Sequence, residues 1–138
     1  MTADGREVIY GGQPWPENYT FVPAIRVADT VYLSGTTATD EHGRITAPGD
    51  IAEQTRQIFR KFERLLQSIG ASCDDIVSTT DYITTTENYG RTGAVRREFF
   101  RNGFPTSTGV IVAGLLRTDA LIEISAVAVL GSSGRGQS

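Results

Sequence analysis

The stretch LIEISAVAVL, residues 121–130, alternates so that Leu121, Glu123, Ser125, Val127 and Val129 fall on one face of a β-strand and Ile122, Ile124, Ala126, Ala128 and Leu130 on the other. Both faces are largely apolar. The pattern predicts a strand buried on two sides, so the fold must supply one layer above it and another below.

Working outward, strand patterns are predicted at EVIY (7–10), AIRV (24–27), TVYLSG (30–35), DIVSTTDYIT (75–84) and TGVIVAGL (108–115), the second and third joined by a turn at Ala28-Asp29. Between them, DIAEQTRQIFRKFERLLQSIG (50–70) puts Ile51, Ile58, Phe62, Leu65, Leu66 and Ile69 on one helical stripe. Asp50 and Glu53 are spaced as a capping box, and Gly70 stands where the helix should stop. A second helix is predicted in ENYGRTGAVRREFFRNG (87–103), which groups Tyr89, Val95, Phe99 and Phe100 toward one side. The order β-β-β-α-β-α-β-β makes an α+β domain of six strands and two helices. Two helices can cover one face of six strands but not both. The other face is expected to meet another copy of the chain, giving a homo-oligomer with packed sheets.

The 138 residues fit one domain, predicted over 1–130, with the Gly/Ser-rich GSSGRGQS (131–138) as a disordered tail. A net charge of −3 offers no field to attract a phosphate backbone, so no nucleic-acid partner is expected. Twelve of the thirteen basic residues are arginine, and Arg91, Arg96, Arg97 and Arg101 are spaced to fan around the second helix as a solvated surface. The single cysteine, Cys73, excludes an internal disulfide and sits beside two aspartates, which marks it as a bystander rather than a nucleophile. With one cysteine and one histidine, His42, placed apart in the sequence, no metal centre is expected. The first ten residues lack the apolar core of a signal peptide and no run is long enough to span a membrane, so a cytoplasmic protein is expected.

Glu123 is the most informative residue. A carboxylate pointing the same way as Leu121 and Val127 lies at the sheet margin, pairs with a buried donor, or is kept for proton transfer. In a dry site its pKa would rise toward neutrality, where a carboxyl group both takes and gives a proton. Ser107 and Gly109 share a strand face with Ile111, opposite Thr106, Thr108 and Val110. A glycine within a strand marks the approach of a ligand or second backbone, or else tight packing or a bulge. Gly93 costs its helix about 1 kcal/mol relative to alanine, which suits either close helix-sheet packing or a side chain withdrawn from a pocket. Arg26 reads as outward-facing. The Pro- and aromatic-rich GGQPWPENYTF (11–21) suits a pocket wall or a clasp onto a neighbouring subunit.

The succession VYLSG, then D....Q.R.IF..FE.LL...G.S..DIV..T.Y, then FF...FP.ST.V.VAGL, then LIEISAVAV resembles the Rid family, the reactive intermediate deaminases also called the YjgF family, over nearly the whole chain from Arg6 to Leu130. The resemblance implies a chorismate-mutase-like fold: a six-stranded mixed sheet with two helices on its outer face, assembled as a homotrimer with sheets packed inside and sites in the clefts between subunits. It further implies hydrolysis of imines derived from enamines such as 2-aminoacrylate, with no metal or organic cofactor. By the same resemblance Glu123 matches a glutamate that positions the attacking water, and Ser34 and Gly35 match a pocket-edge pair.

The chain departs from the family pattern at the same pocket. The arginine that grips the substrate carboxylate is Ser107 here, followed by Thr108; a frequent cysteine is Gly109; an asparagine of the second helix is Gly93; a glutamine is Thr36. A family tyrosine falls at Phe21, or at Tyr19 with a local gap. Losing a bidentate carboxylate contact in a desolvated site costs about 2–5 kcal/mol, or roughly tens to thousands of times in affinity. These losses of size and charge point to a ligand bulkier than a 2-aminoacrylate-derived imine, or one without its carboxylate. Glu123 and Ser107 or Thr108 are the expected working groups of a hydrolase. The alternatives are a tailoring enzyme using Glu123 for elimination, isomerisation or ring opening, and a trimeric binding protein in which Glu123 only accepts hydrogen bonds.

Overall fold

The computed structural model describes residues 5–133. Six strands, β1 (Arg6–Ile9), β2 (Ala24–Val27), β3 (Thr30–Thr36), β4 (Ile76–Ile83), β5 (Thr106–Ile111) and β6 (Ile122–Val129), form one sheet in the order β1-β2-β3-β6-β4-β5. Only β4 and β5 pair in parallel, and the other neighbours are antiparallel, so the sheet is mixed. The two helices are α1 (Ile51–Gln67) and α2 (Thr92–Phe99).

The last strand behaves as its alternation requires. Ile122, Ile124, Ala126 and Ala128 are buried together with Ile58, Phe59, Phe62, Leu65 and Leu66 of α1, while Glu123, Ser125, Val127 and Val129 remain half-buried on the opposite face. One face of β6 therefore has its cover within the chain and the other does not. Helix α1 starts at the predicted cap, with the Asp50 side chain accepting from Glu53 N at 3.1 Å. The Glu53 carboxylate turns away to Arg56, so the box is half-made. Gly70, at φ 79°, ends the helical path.

Several boundaries differ from expectation, each for a local reason. The second helix is preceded by a 3-10 turn at Tyr89–Arg91 and stops at Phe99, because Phe100 turns to extended backbone to bury its ring. Strand β5 begins at Thr106, earlier than expected, and ends at Ile111, because it lies parallel to β4 and that strand's last partner is Ile83. Arg96 is a correction to the solvated-arginine reading. It turns inward, donating from Nη2 to Thr79 Oγ1 at 2.8 Å, lying 3.6 Å from Asp81 and covering the rings of Phe59 and Phe100. The predicted disordered tail is corrected at its start: Ser132 Oγ and Ser133 N donate to Asp75, fixing Gly131–Ser133 as a turn after β6. The rest of that tail, residues 134–138, lies outside the described residues. Among the described residues no helix is long and apolar enough to cross a membrane.

Candidate functional site

The site is built on a fault in the sheet. Leu33 pairs with Ala126 and Thr36 with Ile124, so three steps along β3 span two along β6 and one residue is left over. A bulge of this kind bends a strand and re-aims its neighbours. Here it carries Ser34 and Gly35. Ser34 is spent on structure: its N–H donates to Pro23 O at 2.9 Å and its hydroxyl to Val22 O at 2.6 Å, pinning the segment that enters β2. Gly35 instead faces Glu123, close enough that a Cβ there would lie 2.6 Å from Oε2. Among the described residues none forms a hydrogen bond or ion pair with the Glu123 carboxylate.

The Glu123 carboxylate opens onto a cavity of roughly 790 Å³. One wall is aromatic: Tyr19 and Phe21 stack at 5.2 Å between ring centroids, and Trp15 stands edge-on to both. The Trp15 indole N–H donates to Phe21 O at 2.8 Å, so the 11–21 loop holds its own rings in place. The loop thereby forms one wall of the cavity. Tyr19 and Phe21 line the same space.

Lys61 and Arg117, both missed by the sequence reading, also line the cavity, with the exposed Arg64 at its edge. Lys61 reaches from α1 to Thr36 Oγ1, Thr37 O and Thr39 Oγ1 at 2.6, 2.9 and 2.7 Å, which also fixes Thr36 at the cavity rim. Burial, with a smaller contribution from the charge of Arg117, lowers its pKa from 10.5 to about 8. Arg117 donates to Gly43 O and to the Tyr19 hydroxyl. A signal for Lys61 was present in the composition: it is the only lysine beside twelve arginines. His42 sits in a turn whose amides bond Asp40, the cause of that carboxyl's lowered pKa. Among the described residues no three of His, Cys, Asp and Glu converge as metal ligands.

The remaining expected site residues lie elsewhere. Ser107, Thr108 and Gly109 are on β5, the edge strand, with β4 between it and β6. Register puts Ser107 and Gly109 beside buried Thr79 and Asp81 on the helix side, and Thr108 on the face that carries Glu123. Tyr89 lies over Gly109 and donates to Asp81 Oδ2 at 2.6 Å; burial, then this bond, raises its pKa to about 12. Gly93 is exposed and a Cβ there would meet nothing within 4 Å. Close helix-sheet packing is therefore not what excludes a side chain from that position. Within one chain, Glu123, Tyr19, Phe21, Ser34, Gly35 and Thr36 line one cavity, whereas a second group of expected residues, Ser107, Thr108 and Gly109 on the edge strand and Gly93 on α2, lies outside it. Cys73 is fully buried against Phe59 O, and its thiol pKa is raised by that burial, with Glu63 and Asp74 adding to it.

A six-stranded mixed sheet with two helices, bulged beside a lone carboxylate, defines a protein of the YjgF fold. The family model described as Endoribonuclease L-PSP matches residues 14–130, and the chain belongs to that family. A structure of a Rid-family protein from Yersinia pestis is 28% identical, with 91% of this chain and 99% of that one covered at a TM-score of 0.80. A YjgF-family member from Mycobacterium tuberculosis is 29% identical, with 91% and 99% covered at a TM-score of 0.75. A protein of unknown function from Pseudomonas aeruginosa is 27% identical, with 91% and 93% covered at a TM-score of 0.80.

Proposed function

We propose that this chain is a Rid-like hydrolase that opens a C=N bond in a small metabolite, one bulkier than 2-aminoacrylate-derived imines or lacking their carboxylate. The observation that carries this reading is the unpaired Glu123 carboxylate at the Gly35 bulge, facing a cavity large enough for more than a three-carbon substrate. Glu123 takes a proton from water while the water oxygen bonds to the imine carbon and the C=N electron pair moves to nitrogen. The carboxyl then returns its proton to nitrogen. Collapse of the carbinolamine leaves a carbonyl and releases ammonia. The chemistry needs neither metal nor organic cofactor.

The second group of residues joins the first if a neighbouring copy supplies it. The face of the sheet away from the helices carries Tyr32 and Val110, 53% and 38% exposed, and is suited to burial against other copies in a homotrimer. Ser107 or Thr108 of a neighbour would then donate to the substrate where the family arginine is missing. The family description mentions endoribonuclease activity, but the net charge of −3 favours a small metabolite over RNA.

The test uses imines generated in situ by an amino-acid oxidase acting on amino acids of increasing side-chain size, with keto-acid release followed against the uncatalysed rate. Glu123→Gln should lose about 100-fold or more in kcat. Unchanged turnover would remove the general-base role. Ligand binding without any turnover in the unmutated protein would favour a binding protein, the reading that the missing arginine supports.

A further inference from the structure

The cavity holding Glu123 is lined by Lys61, Arg117 and the exposed Arg64 beside the carboxylates of Asp40, Glu41 and Glu123, yet neither Lys61 nor Arg117 is ion-paired to any of these. Lys61 gives its protons to two threonine hydroxyls and a carbonyl, all neutral. Arg117, on the loop between β5 and β6, bonds through Nη1 to Gly43 O at 3.2 Å and through Nη2 to the Tyr19 hydroxyl at 3.1 Å, again neutral acceptors. Among the described residues neither has a carboxylate within ion-pair distance. Of the carboxylates lining the same space, Asp40 accepts the amides of His42 and Arg44, Glu41 lies against His42, and Glu123, beside Gly35, opens onto the cavity without pairing to either cation. Two like charges in a partly enclosed cavity repel, and an entering anion relieves that repulsion. Arg117 has the means to hold one, since two of its five guanidinium N–H donors are used.

We propose that Arg117, backed by the charge of Lys61, is the anion-binding group of this site, and that the substrate carries a carboxylate remote from the carbon that water attacks. This rests on Glu123 being the group that handles water. Ser107 empties the place where a carboxylate adjacent to the imine would be gripped, and Arg117 offers a grip on a different wall, among the 11–21 loop and the turn at Gly43. The substrate class is then an imine or enamine with a carboxylate at its far end, reaching along the cavity from Glu123 to Arg117.

Calorimetric titration of the full-length protein with glutarate, and with uncharged glutaramide, tests this without requiring turnover. Glutarate should bind and glutaramide should bind about tenfold more weakly or less. Arg117→Gln should weaken glutarate binding by roughly tenfold to a hundredfold, and Arg117→Lys should recover part of it. Arg60→Gln, which removes an equal charge from the exposed side of α1, should change nothing. Where turnover is measurable, Arg117→Gln should raise KM for imines with a distal carboxylate and leave kcat nearly unchanged. Equal affinity in the Arg117→Gln variant overturns the proposal, as does failure of the unmutated protein to bind glutarate. Arg117-dependent binding in a protein that hydrolyses no imine would instead overturn the hydrolase reading and leave the anion site standing.

Discussion

Gly35 lies so close to Glu123 that a methyl group on its α-carbon would sit 2.6 Å from Oε2. No other glycine in the described chain is approached so closely by a side chain, and the approach exists because the bulge lets the β3 backbone pass beside the carboxylate.

Gly35→Ala should therefore act on the carboxylate rather than on the fold. Gly35 is exposed, so stability should change by less than about 1 kcal/mol. Displacing the Glu123 carboxyl by about an ångström should cost roughly 100-fold in kcat. Parallel turnover and urea-unfolding measurements separate the two, and an alanine variant with full activity would show that the contact has no bearing on catalysis.

Ser107→Arg restores the missing charge on β5. The position is exposed, so the longer side chain has room. If the vacancy is what excludes small amino-acid-derived imines, the variant should gain about tenfold or more in kcat/KM toward 2-aminoacrylate imine. Absence of any gain would mean that the pocket differs by more than this anchor.

Lys61 gives a pH signature. Its folded pKa of about 8 lies below its ordinary 10.5, so between those values the unfolded chain holds a proton that the folded chain has shed. The Lys61 contribution to stability should climb as pH rises from about 8 to 10.5, and is lost as pH falls back through 8. Thermal melts of the protein and of Lys61→Met across that range should differ by this slope, since the raised pKa values of Cys73 and Tyr89 pull both proteins equally the other way in its upper part. Equal slopes would mean that Lys61 keeps an ordinary pKa.

Arg96 and Asp81 form a buried pair whose facing atoms, Nη1 and Oδ1, make no hydrogen bond and lie 3.6 Å apart. Arg96→Met should cost about 3 kcal/mol by leaving Asp81 charged and partly unmatched beneath α2, whereas Arg96→Met with Asp81→Val should recover part of that loss. Urea denaturation of the three proteins reads this directly. A single variant as stable as the parent would show that the pair contributes nothing.

The succession of strands and helices along the chain was open to reading because it follows from period: β6 alternates cleanly and α1 carries a continuous apolar stripe. Glu123 stood out for the opposite reason, as a carboxylate that breaks an apolar pattern. What periodicity cannot carry is register. The bulge at Ser34 and Gly35 exists only once β3 is laid against β6, and the separation of Ser107 from Glu123 only once β4 is placed between their strands. The hydrogen bonds of Lys61 and Arg117 join residues from 22 to 98 positions apart, a range at which local pattern is silent. Arg96 misled for a related reason. Its helical spacing matches a surface residue, and its inward turn is set by Asp81 on a strand fifteen residues earlier.

Cys73, sealed against the α1 backbone with a thiol unwilling to ionise, makes the chain a ready host for chemical labels. A cysteine introduced at exposed Gln67, at the end of α1 on the helix side of the sheet, would be the one thiol that reacts with maleimide, with no need to remove the native residue first. Paired spin labels attached there would report distances between copies in solution, turning an inert core atom into the means of counting and orienting the subunits.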